Sequence, residues 1–245
     1  MVIGLICASI IAWFISTLAG GGSSLVLIPI VGFFLTTSAI PSIITVGSIF
    51  GNAERAIAYR TKINWKIIYW ELPAALVGCC LGALVLTQIN LEWLTLLIAI
   101  FLLISGINYL IKPKTKTFEV KAWYFLPLGF LYAFLSGIIG STVPFLVPFY
   151  LNYGLEKEEL LGTQAINRTA IHVIKVVAYY YLGILTLPYL YYGIIIGLAS
   201  FPGNWLGDHV LQKISEKHFR QLVMFYAIII STYMLWQQRN MLIFF

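Results

Sequence analysis

Long apolar stretches alternate with short polar connections along the whole chain of 245 residues. An α-helix needs about 20 apolar residues to cross the hydrocarbon core of a bilayer. The longest stretches approach or reach that length, over residues 2–19, 65–86, 91–111, 160–182 and 187–206. The pattern therefore predicts an all-α integral membrane protein with about 8–10 hydrophobic segments.

Composition excludes an ordinary soluble domain. Hydrophobic residues make up 60% of the chain and charged residues only 10%, whereas soluble domains carry about a quarter charged residues. The net charge of +6 does not indicate nucleic-acid binding, because most basic residues lie in short connections between apolar stretches, as the positive-inside rule predicts. The first stretch lacks a basic leader and an A-x-A cleavage pattern, so we expect a span there rather than a signal peptide.

Two halves of the chain resemble each other. Residues 21–29 align with residues 140–148, and the motif Gly78-x-x-x-Gly82 aligns with Gly203-x-x-x-Gly207. We expect each half to contain a glycine-broken pair of segments followed by three long helices. The predicted organisation is a first transmembrane repeat over 1–111, a cytoplasmic linker over 112–122, a second repeat over 123–239 and a C-terminal tail over 240–245.

The distribution of charge predicts that the halves have opposite orientations. The connection after the third segment carries Arg60, Lys62 and Lys66, whereas its counterpart at 183–186 is uncharged. The next connection reverses this: residues 87–90 are uncharged, and their counterpart contains Lys213, Lys217 and Arg220. Because cytoplasmic connections are the basic ones, the sequence predicts two inverted-topology repeats, which is a recurrent architecture of secondary transporters.

Glycine-rich breaks interrupt both halves at matching positions. Irregular backbone is tolerated at membrane depth only where protein or a water-filled cavity covers it, and a half-helix that starts there offers unpaired N–H groups and a positive dipole end to an anion. The candidate residues at these breaks are Gly21, Gly22, Ser23 and Ser24 in the first half, and Gly140, Ser141 and Thr142 in the second. For the two Gly-x-x-x-Gly motifs we favour close helix packing instead.

One predicted span carries an unusual polar face. Gln164, Arg168, His172, Lys175 and Tyr179 are spaced by four, four, three and four residues, which places them on one side of a helix. A charge at this depth costs about 2.5–3.5 kcal/mol on insertion scales, so it should face protein or water. We predict that Arg168 anchors an oxyanion through its planar fork of donors. His172 is suited to bind the anion or to carry a proton.

Several alternatives remain open for the charged and thiol side chains. Asn52 is a further substrate-binding candidate, and the neighbouring Glu54 offers an ion pair to Arg168 or Lys175 in place of a substrate. We expect Arg55 and Glu71 to reach the membrane interface.

The three cysteines, Cys7, Cys79 and Cys80, lie in apolar segments and do not suggest disulfides. Cys79 or Cys80 could react with a thiosulfate-like substrate, although buried cysteine is more often a small hydrophobe.

The Gly-Gly-Gly-Ser-Ser-Leu-Val-Leu-Ile-Pro motif and its second-half counterpart resemble the TauE/SafE family of bacterial sulfite exporters and sulfonate permeases. The resemblance extends over nearly the whole chain, including the Gly162-Thr163-Gln164-Ala165 stretch. It implies a permease of the bacterial inner membrane for sulfite, thiosulfate or an organosulfonate, coupled to an ion gradient with H+ as a candidate ion. It implies no catalytic site, metal or other cofactor, and a homo-oligomer is compatible with it.

The residues themselves indicate a small anion but not sulfur chemistry, because other oxyanions or organic acids would satisfy the same donors. A passive anion channel is an alternative to a carrier, since both line a pathway with donors. An intramembrane enzyme is disfavoured because no H-E-x-x-H or G-x-S-x-G arrangement occurs. No phosphate-binding G-x-x-x-x-G-K-[ST] loop occurs either, so ATP hydrolysis by this chain is not expected.

Overall fold

A computed structural model describes residues 1–35, 39–85, 99–100, 102–107, 111, 118–139 and 144–237. Every regular element in these ranges is helical, which confirms the all-α prediction. The α-helices whose two ends lie in these ranges are α1 (Val2–Leu18), α2 (Ser23–Phe34), α3 (Ile40–Ala58), α4 (Trp65–Val85), α5 (Phe125–Ile139), α6 (Val147–Tyr153), α7 (Lys157–Tyr181), α8 (Leu187–Leu198), α9 (Ser200–Leu211) and α10 (Glu216–Gln237). Short 3-10 turns occupy Arg60–Lys62, Ala122–Tyr124 and Pro144–Leu146.

Two helices of the described part are long and apolar enough to cross a membrane alone, over Trp65–Val85 and Glu216–Trp236. Shorter apolar helices cover Val2–Leu18, Ser23–Phe34 and Ala122–Gly137. The predicted spans at 2–19, 65–86 and 160–182 correspond to α1, α4 and α7. Most of the predicted span at 91–111 lies outside the described residues.

The predicted span at 187–206 is wrong as a single helix. The structure divides it into α8 and α9, with Ala199 between them. Pro202 supplies a physical reason, because proline has no N–H to continue the hydrogen-bond ladder of the preceding helix but is tolerated in the first turn of a new one. The second half therefore contains a broken pair where the first half has the continuous helix α4.

The helices of the two halves interlock. Helix α4 packs along α5, α1 packs along α9, and α3 packs against both α7 and α8. Each of these pairs joins a helix before residue 112 to one after residue 122. Within the described part of the chain, the largest helix contacts therefore lie between the halves, and α3 and α7 face each other there.

The two Gly-x-x-x-Gly motifs make this interlocking possible. A side chain on Gly78 or Gly82 would collide with the backbone of α5 at Phe130 and Phe134. A side chain on Gly207 would lie 2.7 Å from Cβ of Thr17 in α1. Helix axes approach this closely only where a glycine removes the Cβ atom. The prediction that these motifs serve helix packing is confirmed.

Candidate anion site

The break between α1 and α2 is a turn of three glycines in left-handed conformation. The φ angles of Gly20, Gly21 and Gly22 are 69°, 130° and 90°. Glycine adopts these values without the steric cost that a Cβ imposes. The turn reverses the chain so that α2 begins at Ser23, as predicted, and the phenol of Tyr226 donates to the Gly22 carbonyl oxygen at 3.0 Å.

The start of α2 therefore lies at the end of a buried turn. Ser23 and Ser24 form its first residues and are both buried. The first N–H groups of any α-helix lack intrahelical partners, and the dipole gives this end a partial positive charge. Such an end is suited to hold an anion.

Arg168 of α7 lies directly against this turn. A Cβ atom on Gly21 would fall 2.5 Å from Nη1 of Arg168, so the backbone of the turn and the guanidinium are in close contact. The side chain is only 5% exposed. Its Nε atom donates to the hydroxyl oxygen of Tyr132 in α5 at 3.1 Å. The structure thus brings a guanidinium to the positive end of a half-helix.

The charge of Arg168 has no carboxylate partner within the described part of the chain. The ion pairs found there join Lys62 to Glu158 and Arg220 to Glu216. The guanidinium and the helix N-terminus both carry positive charge, so they would repel each other if no anion bound between them. The arrangement is chemically suited to an oxyanion that accepts from both.

Two further predicted residues share the face of Arg168 and have unsatisfied polar atoms. Both amide atoms of Gln164 and both ring nitrogens of His172 are buried without a hydrogen-bond partner among the described residues. Burying such groups unpaired costs about 1–3 kcal/mol each. Because Gln164 and His172 flank Arg168 by one helical turn on each side, they are available to a ligand held by the guanidinium.

The other candidates are placed differently. Lys175 is fully buried and donates to the backbone and hydroxyl oxygens of Ser136, at 2.9 and 3.1 Å. Asn52 donates to the Ser48 carbonyl oxygen at 2.7 Å, within its own helix. Both side chains are thus engaged by protein in this structure. The second predicted break, Gly140, Ser141 and Thr142, lies outside the described residues.

The alternative of an ion pair with Glu54 is wrong. Asn204 of α9 donates to Oε2 of Glu54 at 2.6 Å, and neither Arg168 nor Lys175 forms an ion pair in the described part of the chain. Lys175 instead donates to Ser136 of α5. Glu54 therefore does not account for the charge of Arg168.

The expectation that Arg55 reaches the membrane interface is also wrong. Arg55 is buried, and its guanidinium donates to acceptors on α1 and α9. These are Oδ1 of Asn204 at 2.9 Å, the Trp13 carbonyl oxygen at 3.1 Å, and the hydroxyls of Ser16 and Thr17 at 3.2 and 2.6 Å. Four hydrogen bonds to neutral acceptors compensate the buried guanidinium for the water that it loses.

Glu71 is likewise buried, contrary to expectation, with 0% exposure. The phenol of Tyr150 in α6 lies 2.7 and 2.6 Å from its two oxygens, and the side-chain amide of Asn167 in α7 donates to Oε1. Sequence reasoning missed both Arg55 and Glu71, although each is a charged residue inside an apolar helix, which was the available signal.

The three thiols differ in exposure. Cys79 is buried and its Sγ donates to the Leu76 carbonyl oxygen at 3.2 Å, whereas Cys7 and Cys80 are exposed. The described residues contain no group of three or more potential metal-ligating side chains.

Comparison with known proteins decides the family. The family model described as "Sulfite exporter TauE/SafE" matches residues 5–234. The chain belongs to the TauE/SafE family. No curated protein and no solved structure matches it significantly.

Membership in the TauE/SafE family makes this chain, in general terms, a membrane transporter for sulfite-type sulfur anions and not a member of an enzyme family. A membrane location agrees with the two helices long enough to span. The family identified from the glycine motif in the sequence is thereby confirmed over nearly the whole chain.

Proposed function

We propose that this protein is a secondary transporter of a small sulfur-containing anion, namely sulfite, thiosulfate or an organosulfonate, which binds between the start of α2 and Arg168. The observation that carries the proposal is the contact of the Gly21 backbone with a buried guanidinium that has no carboxylate partner in the described part of the chain. Gln164 and His172 complete the set of polar groups facing the anion.

The helix packing supports the placement of this site between two inverted repeats. Helix α1 packs on α9 of the other half, and its counterpart α5 packs on α4, while α3 and α7 pack on each other. An arrangement with approximate two-fold symmetry would produce this exchange of partners. Arg168 on α7 and the turn before α2 come from different halves, so relative motion of the halves would open or close the site.

Burial favours a carrier over the passive channel. Gln164, Arg168 and His172 are at most 5% exposed. Donors that line an open pore are in contact with water, whereas a carrier passes through states in which the site is closed from both sides. The burial of these three side chains matches a carrier state in which the site is closed from both sides. We infer that its anion crosses by alternating access in the bacterial inner membrane.

Reconstituted vesicles test the proposal with Arg168→Ala. Losing a buried hydrogen bond to a charged group costs about 1.5–3 kcal/mol, so the affinity for thiosulfate or sulfite should fall by about 10- to 150-fold. The anion affinity of Arg168→Lys should lie between those of Arg168→Ala and the wild type, because lysine retains the positive charge but not the planar fork of donors. The matched control is Arg60→Ala, which removes an exposed arginine and should leave uptake unchanged.

The outcome is read as initial uptake of sulfite, thiosulfate and taurine, normalised to the amount of inserted protein. Uptake by Arg168→Ala at the wild-type rate and affinity would remove Arg168 from the site and refute the proposal. Uptake far faster than carriers achieve, and independent of any gradient, would favour the channel.

A further inference from the structure

We propose that Glu71 carries a proton that crosses the membrane together with the anion. The proposal rests on the proposed function and adds to it the identity of the coupling ion and of the residue that binds it. Glu71 is fully buried in α4, and it faces α5, α6 and α7 at the interface between the halves.

The hydrogen bonds around Glu71 accommodate a proton on the carboxyl group. The Tyr150 hydroxyl lies 2.7 Å from Oε1 and 2.6 Å from Oε2, yet a phenol has only one proton to donate. In the protonated form of Glu71, Tyr150 donates to Oε1 and the proton on Oε2 is donated back to the phenolic oxygen. Asn167 donates to Oε1 as well, which leaves Oε2 as the protonated atom.

The charged and titratable groups that face Glu71 in the described part of the chain are few. Tyr150 comes from α6, Arg168 from α7 and, one layer further, Tyr132 from α5. Helix α5 approaches the backbone of Glu71 closely at Gly129, where a Cβ atom would lie 2.8 Å from the glutamate. The only cation in this set is Arg168, so an anion that neutralises Arg168 removes from this set the positive charge that favours the carboxylate form of Glu71.

Arg168 is next to Asn167 in sequence, and its charge acts on Glu71 without forming an ion pair. Without a substrate, the guanidinium stabilises the glutamate as a carboxylate. A bound anion neutralises the guanidinium, and a buried carboxylate left among neutral partners then favours taking up a proton. Anion and proton therefore bind cooperatively, and linkage makes the effect reciprocal.

In the resulting cycle, one proton from the medium binds Oε2 of Glu71 as the anion binds Arg168. Both leave on the other side when the halves rearrange, and the emptied Arg168 again stabilises the carboxylate. No bond other than O–H forms or breaks. A proton gradient would drive the anion in the same direction as the proton.

Thiosulfate is a suitable probe because it stays ionised across the working pH range. Vesicles containing wild type, Glu71→Gln or Glu54→Gln are clamped at zero membrane potential with valinomycin and potassium. One arm measures accumulation of labelled thiosulfate under a pH difference of one unit, and the other measures exchange of thiosulfate at equal pH. Glu54→Gln is the control, because it neutralises a different glutamate, which accepts a hydrogen bond from Asn204 and not from Tyr150 or Asn167.

Wild type and Glu54→Gln should accumulate thiosulfate about tenfold, which is the limit for one proton per anion at one pH unit. Glu71→Gln should no longer accumulate thiosulfate, so that its concentrations inside and outside the vesicles stay equal. The variant should still exchange thiosulfate, because glutamine can keep the contacts with Tyr150 and Asn167. Accumulation by Glu71→Gln at the wild-type level would overturn the proposal.

A second measurement uses only the wild-type protein, so it tests the proposal even if Glu71→Gln fails to fold. Thiosulfate added to purified wild-type protein in weakly buffered detergent solution should cause uptake of up to one proton per bound anion. Binding without proton uptake across pH 5–8 would overturn the role of Glu71 while leaving the anion site intact. Absence of both binding and exchange in the wild type would instead refute the proposed function and the inference with it.

Discussion

Replacing Gly21 by alanine tests the contact between the glycine turn and Arg168 more directly than any change to the arginine itself. The φ angle of 130° is open to glycine but costs other residues about 1–3 kcal/mol. In addition, the new methyl group would lie 2.5 Å from Nη1 and 3.0 Å from Nη2 of Arg168. Both nitrogen atoms must therefore move, or the turn must shift away from them.

The expected size of the effect follows from what the guanidinium loses. If its displacement breaks one charge-assisted hydrogen bond to the anion, binding weakens by about 1.5–3 kcal/mol, or about 10- to 150-fold in Kd. Backbone strain alone lowers stability but does not weaken binding. At this chain length 1 kcal/mol corresponds to about 2–4 °C in Tm.

Gly183→Ala separates the two effects. Gly183 also has a positive φ, of 69°, but a Cβ atom there would meet nothing within 4 Å. We expect both variants to melt several degrees below the wild type in detergent, and only Gly21→Ala to lose affinity in a thiosulfate-binding assay. A Kd for Gly21→Ala within twofold of the wild type, or an equal loss in Gly183→Ala, would refute the reasoning.

Two further predictions concern residues outside the anion site. Asn204→Ala removes an acceptor of Arg55 and a donor to Glu54, so we expect the free energy of unfolding to fall by about 1.5–3 kcal/mol; an unchanged Tm in detergent would show that the network contributes little. The double variant Cys79→Ala and Cys80→Ala should transport thiosulfate normally, since Cys79 is buried against its own helix; arrest of transport with normal insertion would support the reactive-thiol alternative.

The elements that glycine determines could be read from the sequence. The run Gly20–Gly22 can adopt positive φ angles that other residues avoid, so the end of one helix and the start of the next at Ser23 were predictable. The break at Ala199 was missed because residues 187–206 form one long stretch without a charged residue. Pro202 was the local signal for it, since a proline marks the first turn of a helix as readily as it kinks one.

The partners of the buried charges could not be read from the sequence. Helical spacing placed Gln164, Arg168 and His172 on one face, and the structure leaves all three buried. In contrast, Arg55 donates to acceptors that are 38 to 149 residues away in sequence, and Glu71 accepts from a phenol 79 residues away. Such contacts depend on how the halves interlock, which no local pattern encodes.

The central claim is that the transported anion sits between the first turn of α2 and the guanidinium of Arg168. Crystals grown with selenite, the selenium counterpart of sulfite, test it through the anomalous scattering of selenium. The account predicts one strong anomalous peak with its oxygens within hydrogen-bond distance of Arg168 and of the N–H groups at Ser23 and Ser24. A peak elsewhere, with Arg168 paired to Glu71, would contradict it.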